Sequence, residues 1–448
     1  MVPPMTTLLL GQTLAFTADP FLAPWEDCVS HRESGGVLIE GGRIAAVGDG
    51  ATLRTANPAA RVVDHGRDLI LPGFIDAHMH YPQTGIVASW GKRLIDWLNA
   101  YTFPEEMRLA DPAYARAVAD RTLDLALAHG TTTLLSFCTI HEGSVDAWFE
   151  AAEARGMRVA GGKTCMDRNA PEGLRDSAQA AHDQSAALVA RWHGRGRATY
   201  AITPRFSPTS TEAQLEALGA LWAANPDCLM QTHLSEQVDE VEWVRSLHPT
   251  ARDYLDTYES HGLLGPRALF GHAIHLEPRE VDRLAEAGAA VVHCPTSNTF
   301  IGSGLFDLAG LKRRGITAGL ATDTGGGSSF SMLRTMAAAY EVAQLRGQAL
   351  HPAQLLWLAT EGSARALHLE GVVGRLAPGA EADLVVLDLA STPAIAQRTS
   401  RAEDLWEAVF PTIMMGDDRA VRQVWVAGRE VGGRAVPRQQ PSANISTQ

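Results

Sequence analysis

Eight short apolar runs through the middle of the chain, each followed by a longer amphipathic or polar stretch, constrain its fold more than any other feature. In order they are 71–80 (LPGFIDAHMH), 131–137 (TTTLLSF), 157–164 (MRVAGGKT), 198–206 (ATYAITPRF), 228–236 (CLMQTHLSE), 268–275 (ALFGHAIH), 289–295 (AAVVHCP) and 317–323 (TAGLATD). Between them lie stretches such as 112–130 (PAYARAVADRTLDLALAHG) and 330–345 (FSMLRTMAAAYEVAQL). Strands alternating with helices imply a parallel sheet. Eight such units predict an α/β fold with a (β/α)8 TIM-like barrel over 71–374. The intervening helices share no motif, so the repeat is one of fold and not of sequence.

The two chain ends differ in texture from the middle. Segment 35–48 (GGVLIEGGRIAAVG) alternates apolar and polar residues around Gly-Gly turns, and the pattern returns in 379–389 (GAEADLVVLDL) and 420–431 (AVRQVWVAGREV). These read as an antiparallel meander and its continuation. Together 1–70 and 375–436 are expected to build one small composite β-sandwich domain, with 437–448 a loose tail.

With 448 residues, 46% apolar and 20% charged, the chain is long enough for a large barrel and a companion domain. Its net charge of -13 gives no footprint for nucleic acid or an anionic membrane, so a small-molecule partner is expected. The cysteines at 28, 138, 165, 228 and 294 contain no C-x-x-C, which leaves neither a disulfide framework nor a cysteine zinc site. A reducing cytoplasm fits this usage. The N-terminal MVPPMTTLLLGQTLAF lacks the basic start of a signal peptide, and no apolar run reaches the length of a membrane span.

In a barrel of this kind catalytic side chains come from the C-terminal ends of different strands. His78 and His80 stand two apart on the first strand and so leave on one face. Alone, such a pair says little. At the ends of the fifth, sixth and eighth strands stand His233 (THLSE), His272 (FGHAIH) and Asp323 (LATDTGGG). Imidazole nitrogen with one carboxylate is a ligand set that Zn²⁺ accepts, and an open coordination position makes such a site catalytic. Water bound there has a pKa of about 7, so a nucleophile exists without Ser or Cys. Glu236, three residues after His233, is placed to shuttle protons.

PGFIDAHMH, THLSE, GH and ATD, in this order, resemble the amidohydrolase superfamily over nearly the whole chain. Within it, HMHYPQ (78–83), LIDWLNAYTFPEE (94–106), CMDRNAP (165–171), ITPRFSPT (202–209), QTHLSE (231–236) and HCPTSN (293–298) resemble the guanine deaminase family. The resemblance implies one Zn²⁺ per subunit held by His78, His80, His233 and Asp323, with Fe²⁺ an alternative in the same ligands. It implies that His272 orients substrate and water, that Glu236 moves protons and that Asp323 takes the proton of the water. Gln83 and Arg205 would hold a purine by hydrogen bonds and Phe206 by stacking, with His233, Glu236, His272 and Asp323 also facing the substrate. A homodimer is implied as well. Related barrels that act on a pterin, a triazine or a modified nucleobase share the metal chemistry, because pocket contacts set the substrate. A catalytically silent scaffold would have lost ligands, and all six of these groups are present.

Several residues imitate sites. Lys163 could suggest a metal-bridging lysine, but two-metal relatives carry theirs on the fourth strand, which here ends in ITPRF; a structural or pocket-rim charge is expected. His275 is an odd number of residues from His272 and is expected to be structural, and His293 to pack or line the pocket. No P-C-x-x-C accompanies either HLE, which excludes the cytidine-type deaminase fold. TDTGGGSSFSML is read as a tight exit from the eighth strand with a serine helix cap. Cys165 and Cys294 are read as structural thiols, and Asp76 has no assignable role.

Overall fold

A computed structural model describes residues 6–91 and 93–432; the expected tail at 437–448 lies outside the described residues. All eight expected barrel strands form. They are β5 (Phe74–His80), β6 (Thr131–Phe137), β7 (Arg158–Gly162), β9 (Ala198–Pro204), β10 (Leu229–Leu234), β11 (Ala268–His272), β12 (Ala290–His293) and β13 (Thr317–Leu320), and a short β8 (Thr164–Cys165) pairs with β9. Every neighbouring pair is parallel, as helical crossovers require. At the top, Asp323 N donates to His78 O (3.0 Å) and His80 N to Thr324 O (3.2 Å), which ties the segment after β13 back to β5. Ile75, Leu135, Ala201, Leu229, Leu269 and Val292 share a core inside the barrel, while the larger core lies between strands and helices.

The chain ends meet in one hydrogen-bonded sheet of seven strands. It contains β1 (Thr7–Phe16), β2 (Val29–Glu40), β3 (Arg43–Asp49), β4 (Arg61–Pro72), β14 (Leu384–Leu387), β15 (Val421–Val426) and β16 (Arg429–Gly432), in the order β16-β15-β14-β4-β1-β2-β3. Side chains alternate between two cores, as a period of two demands. Leu69, Leu71, Val385, Leu387, Val424 and Val426 pack toward the barrel helices, whereas Ile70, Leu384, Val386 and Trp425 face a small core with Val37, Ile39 and Ile44. Ile44 N donates to Ala380 O (2.8 Å), so the β3 edge folds over toward the segment before β14 and the sheet closes around that small core.

Two local expectations are corrected. The N-terminal strands are not purely antiparallel: β4 runs parallel to β1, because the helix Gly50–Ala56 carries the chain across and returns it in the same direction. The stretch 71–80 is not one strand either. Its first residues end β4, which pairs with β14, and β5 begins only at Phe74. Glu381, just before β14, receives Arg158 of β7 (Nη2 to Oε1, 2.7 Å) and Arg197 before β9, which also pairs with Asp383. This ionic cluster fastens the terminal sheet to the barrel floor, opposite the strand ends that carry the expected ligands.

Candidate active site

The site forms where β5, β9, β10, β11 and the β13 exit converge. The register of β5 against β6 shifts between Asp76 and Met79, just where the histidine pair must be aimed. Ser235, His272, Ala273 and Asp323 have φ of +49°, +68°, +49° and +48°, a left-handed conformation that non-glycine residues seldom adopt. Strain of this kind sits at three of the strand exits that deliver Glu236, His272 and Asp323. At Gly271 a Cβ would lie 2.7 Å from His78 Cε1, so a side chain there would displace that ring.

Four ligand-type groups converge. His80 Nε2 lies 3.2 Å from His233 Nε2, and Asp323 Oδ1 lies 3.5 Å from Nε2 of both His78 and His80. His78, His80 and His233 each offer an atom within 4.8 Å of the others. His233 Nδ1 donates to Arg205 O (2.7 Å); because a carbonyl only accepts, the proton sits on Nδ1 and the Nε2 lone pair faces the cluster. Buried His78 Nε2 has no hydrogen-bond partner. Burial holds all three imidazoles below the usual histidine range, which keeps them neutral. Burial alone would push Asp323 up, but the surrounding imidazoles, raised His272 among them, outweigh it and hold the carboxylate ionised. Neutral nitrogens with lone pairs, an unpartnered buried Nε2 and one carboxylate fit a divalent cation. Cys294 also nears His78 and His272, but burial pushes its thiol well above its usual range, which disfavours the thiolate a metal needs.

Glu236 is buried beside this cluster. Its Oε2 lies 3.5 Å from His272 Nε2, and Ser303 Oγ donates to its Oε1 (2.9 Å). Burial raises its pKa against the opposing charge of His272, so the carboxyl holds a proton more readily than an exposed glutamate. His272 is pulled the other way: burial would lower it, yet Glu236, Asp323 and the hydrogen bond to Asn298 raise it. Gln83, on the 3-10 turn Tyr81–Ile86, and Arg205 and Phe206, just past β9, line the same cleft, with Trp97, Leu98 and Ile301 as apolar wall.

A family profile described as "Amidohydrolase family" spans residues 69–431, from the end of β4 to β16. The chain belongs to the amidohydrolase family. A second profile, for the composite domain of bacterial imidazolonepropionase-like proteins, matches residues 35–60. The amidohydrolase is 43% identical to guanine deaminase of Escherichia coli (strain K12) over 400 residues, 89% of this chain and 91% of that one. It is 41% identical to a probable guanine deaminase of Deinococcus radiodurans over 425 residues, 93% and 96% of the two chains. The solved E. coli guanine deaminase superposes with a TM-score of 0.93 at 41% identity, covering 96% of this chain and all of that one. Membership of the family implies a divalent metal, and His78, His80 and His233 form a group that could hold one.

All nine expected site residues of this amidohydrolase reach one cleft or its immediate wall, but sequence reading missed those that hold them. Glu106 accepts from Gln83 Nε2 (2.9 Å) and from Arg205 Nη1 (3.0 and 2.7 Å to its two oxygens). Glu106 ends the 94–106 motif, where no local pattern reveals its role, because its partners are 23 and 99 residues away. Asn298 and Ser303, beyond β12, orient His272 and Glu236. Asp76 now has a function: it accepts from Thr322 N (3.0 Å) and Oγ1, and so fixes the residue before Asp323. Burial pushes its carboxyl up to about 7 despite these bonds. Lys163 is wholly buried and paired with Asp176, a structural ion pair and not a rim charge. His293 stacks on Phe306 (4.5 Å between ring centroids), and His275 Nε2 bonds Ser303 O (2.8 Å), so both are structural as expected. Ser331 caps the helix Met332–Leu345.

Proposed function

We propose that the protein is a guanine deaminase, which hydrolyses guanine to xanthine and ammonia with one Zn²⁺ per subunit. The observation that carries the reading is the sharing of one cleft by the His78–His80–His233–Asp323 cluster, protonatable Glu236 and the Arg205–Gln83 pair. Similarity to guanine deaminases at 41–43% identity supports it.

His78, His80, His233 and Asp323 would hold the metal, which lowers the pKa of a water to about 7 and so supplies hydroxide near neutral pH. Asp323 takes the proton released from that water. Arg205 and Gln83 hold the ring by hydrogen bonds and Phe206 offers an aromatic face, so that C2 is turned to the metal side. Glu236 protonates a ring nitrogen as oxygen adds to C2, then, as a carboxylate, takes the proton of the new C2 hydroxyl and delivers it to the departing amine as the C–N bond breaks and the C2 carbonyl forms. His272, turned by Asn298, orients substrate and water.

A hydrogen-bonding guanidinium and amide suit a nucleobase edge better than an alkylated triazine, and the full ligand set argues against a silent scaffold. Zinc-loaded protein offered guanine, adenine, cytosine, a pterin and a triazine separates these readings by ammonia release. Turnover of another ring with none from guanine overturns the substrate and leaves the chemistry. Metal analysis distinguishes Zn²⁺ from Fe²⁺, and light scattering tests the homodimer. The five cysteines are free and buried, which supports a reducing cytoplasm. Among the described residues no helix is long and apolar enough to cross a membrane.

A further inference from the structure

Glu106 lies behind the ring-binding residues and touches two of them. It belongs to the helix Phe103–Arg108, is fully buried (0% exposed) and stands outside the cleft lining. We propose that Glu106 is a positioning residue that sets the hydrogen-bond polarity of the guanine site, obliging Gln83 to present its carbonyl oxygen, and Arg205 its remaining N–H groups, to the ring. This rests on guanine being the substrate.

A carboxylate held by a guanidinium accepts and does not donate. An amide has one donating and one accepting end of nearly equal size, so packing alone chooses poorly between its two orientations. Glu106 makes the choice: Gln83 Nε2 is committed to it at 2.9 Å, which leaves Oε1 free. That oxygen lies against Gly325, at φ +122°, where a Cβ would overlap it. Arg205 commits Nη1 to Glu106, and its Nε and Nη2 make no hydrogen bond among the described residues. The cleft therefore presents a donor beside an acceptor. Guanine's lactam edge, with O6 accepting beside N1–H donating, is complementary. A ring whose N1 is a bare acceptor would set lone pair against lone pair, and sites built to hydrogen-bond a polar group reject analogues lacking it strongly.

2-Aminopurine is the probe, because it carries the same reacting C2 amine but lacks O6 and the N1 proton. In Glu106→Gln, Arg205 would take the new amide's oxygen, its NH₂ would face Gln83, and Gln83 would turn to offer Nε2 to the ring. The guanine to 2-aminopurine ratio of kcat/KM should then fall by about 100-fold or more, mainly through the guanine KM, with zinc content unchanged. Glu106→Asp keeps an acceptor-only group and should keep the ratio within about threefold even if both substrates bind more weakly. A ratio unchanged in Glu106→Gln, or an equal loss on both substrates, overturns the polarity role. Should Glu106→Gln fail to fold, Glu106→Asp decides: a retained ratio supports the inference and a lost one overturns it. Failure of the wild-type protein to deaminate guanine overturns the functional reading instead, and is seen before any variant is made.

Discussion

His272 Nδ1 and the side-chain oxygen of Asn298 are 2.8 Å apart, a hydrogen bond that turns His272 Nε2 toward Glu236 and Asp323. The imidazole is thus oriented from the short helix Pro295–Phe300 after the seventh barrel strand, not from its own. Asn298→Ala should lower kcat/KM for guanine by about 10- to 100-fold, in the range of other lost outer hydrogen bonds to site histidines. Asn298→Asp, which retains the acceptor, should lose less. Steady-state ammonia release measures both.

Burial leaves Glu236, beside the cluster, ready to carry a proton while Ser303 holds it in place. Glu236→Gln should reduce kcat by about 10³-fold or more and leave zinc content at the wild-type level. A fully active variant with normal metal would remove the proton-transfer role.

Gly271 bears on the proposed metal site through space alone, since a Cβ there meets His78 Cε1 at 2.7 Å. Gly271→Ala should weaken zinc binding by about tenfold or more while far-UV circular dichroism stays unchanged. Competition against a chromophoric chelator gives the affinity.

Three neutral imidazoles and a carboxylate crowded into a buried cluster would be stabilised by a cation. Chelation should therefore lower Tm, and added Zn²⁺ should restore it, with about 3–4 kcal/mol at stake when free zinc exceeds Kd by 100- to 1,000-fold. Differential scanning fluorimetry with and without chelator makes the comparison.

Glu381 joins the terminal sheet to the barrel floor through Arg158 and Arg197. Burial would raise its pKa, but the two guanidinium groups outweigh this and depress it below the unfolded value of 4.5. A depressed carboxylate contributes stability above its unfolded pKa and loses it as pH falls through the lower folded value. Glu381→Gln should cost about 1–3 kcal/mol at pH 7, and its gap from the wild type should close as pH drops below 4.5. Urea unfolding at pH 7 and near pH 3.5 reads the two stabilities; a gap of constant size would contradict the ion-pair account.

What the sequence determined by itself was the periodicity and the chemistry at strand ends. Short apolar runs alternating with amphipathic stretches are local patterns, and they gave all eight barrel strands because a parallel strand buried on both faces must be apolar throughout. His78, His80, His233, His272 and Asp323 were legible because each follows or closes such a run. Direction and orientation were decided only by the tertiary structure. That β4 runs parallel to β1 depends on a crossover helix, and the break between β4 and β5 depends on which sheet each half can pair with. The left-handed turns at His272 and Asp323 have no glycine to announce them, since surrounding contacts and not local preference hold those angles. Glu106, Asn298, Ser303 and Asp76 stayed silent for a related reason. A buried polar side chain is explained by its partners, and theirs are brought within hydrogen-bond range by barrel closure across separations of 23 to 246 residues.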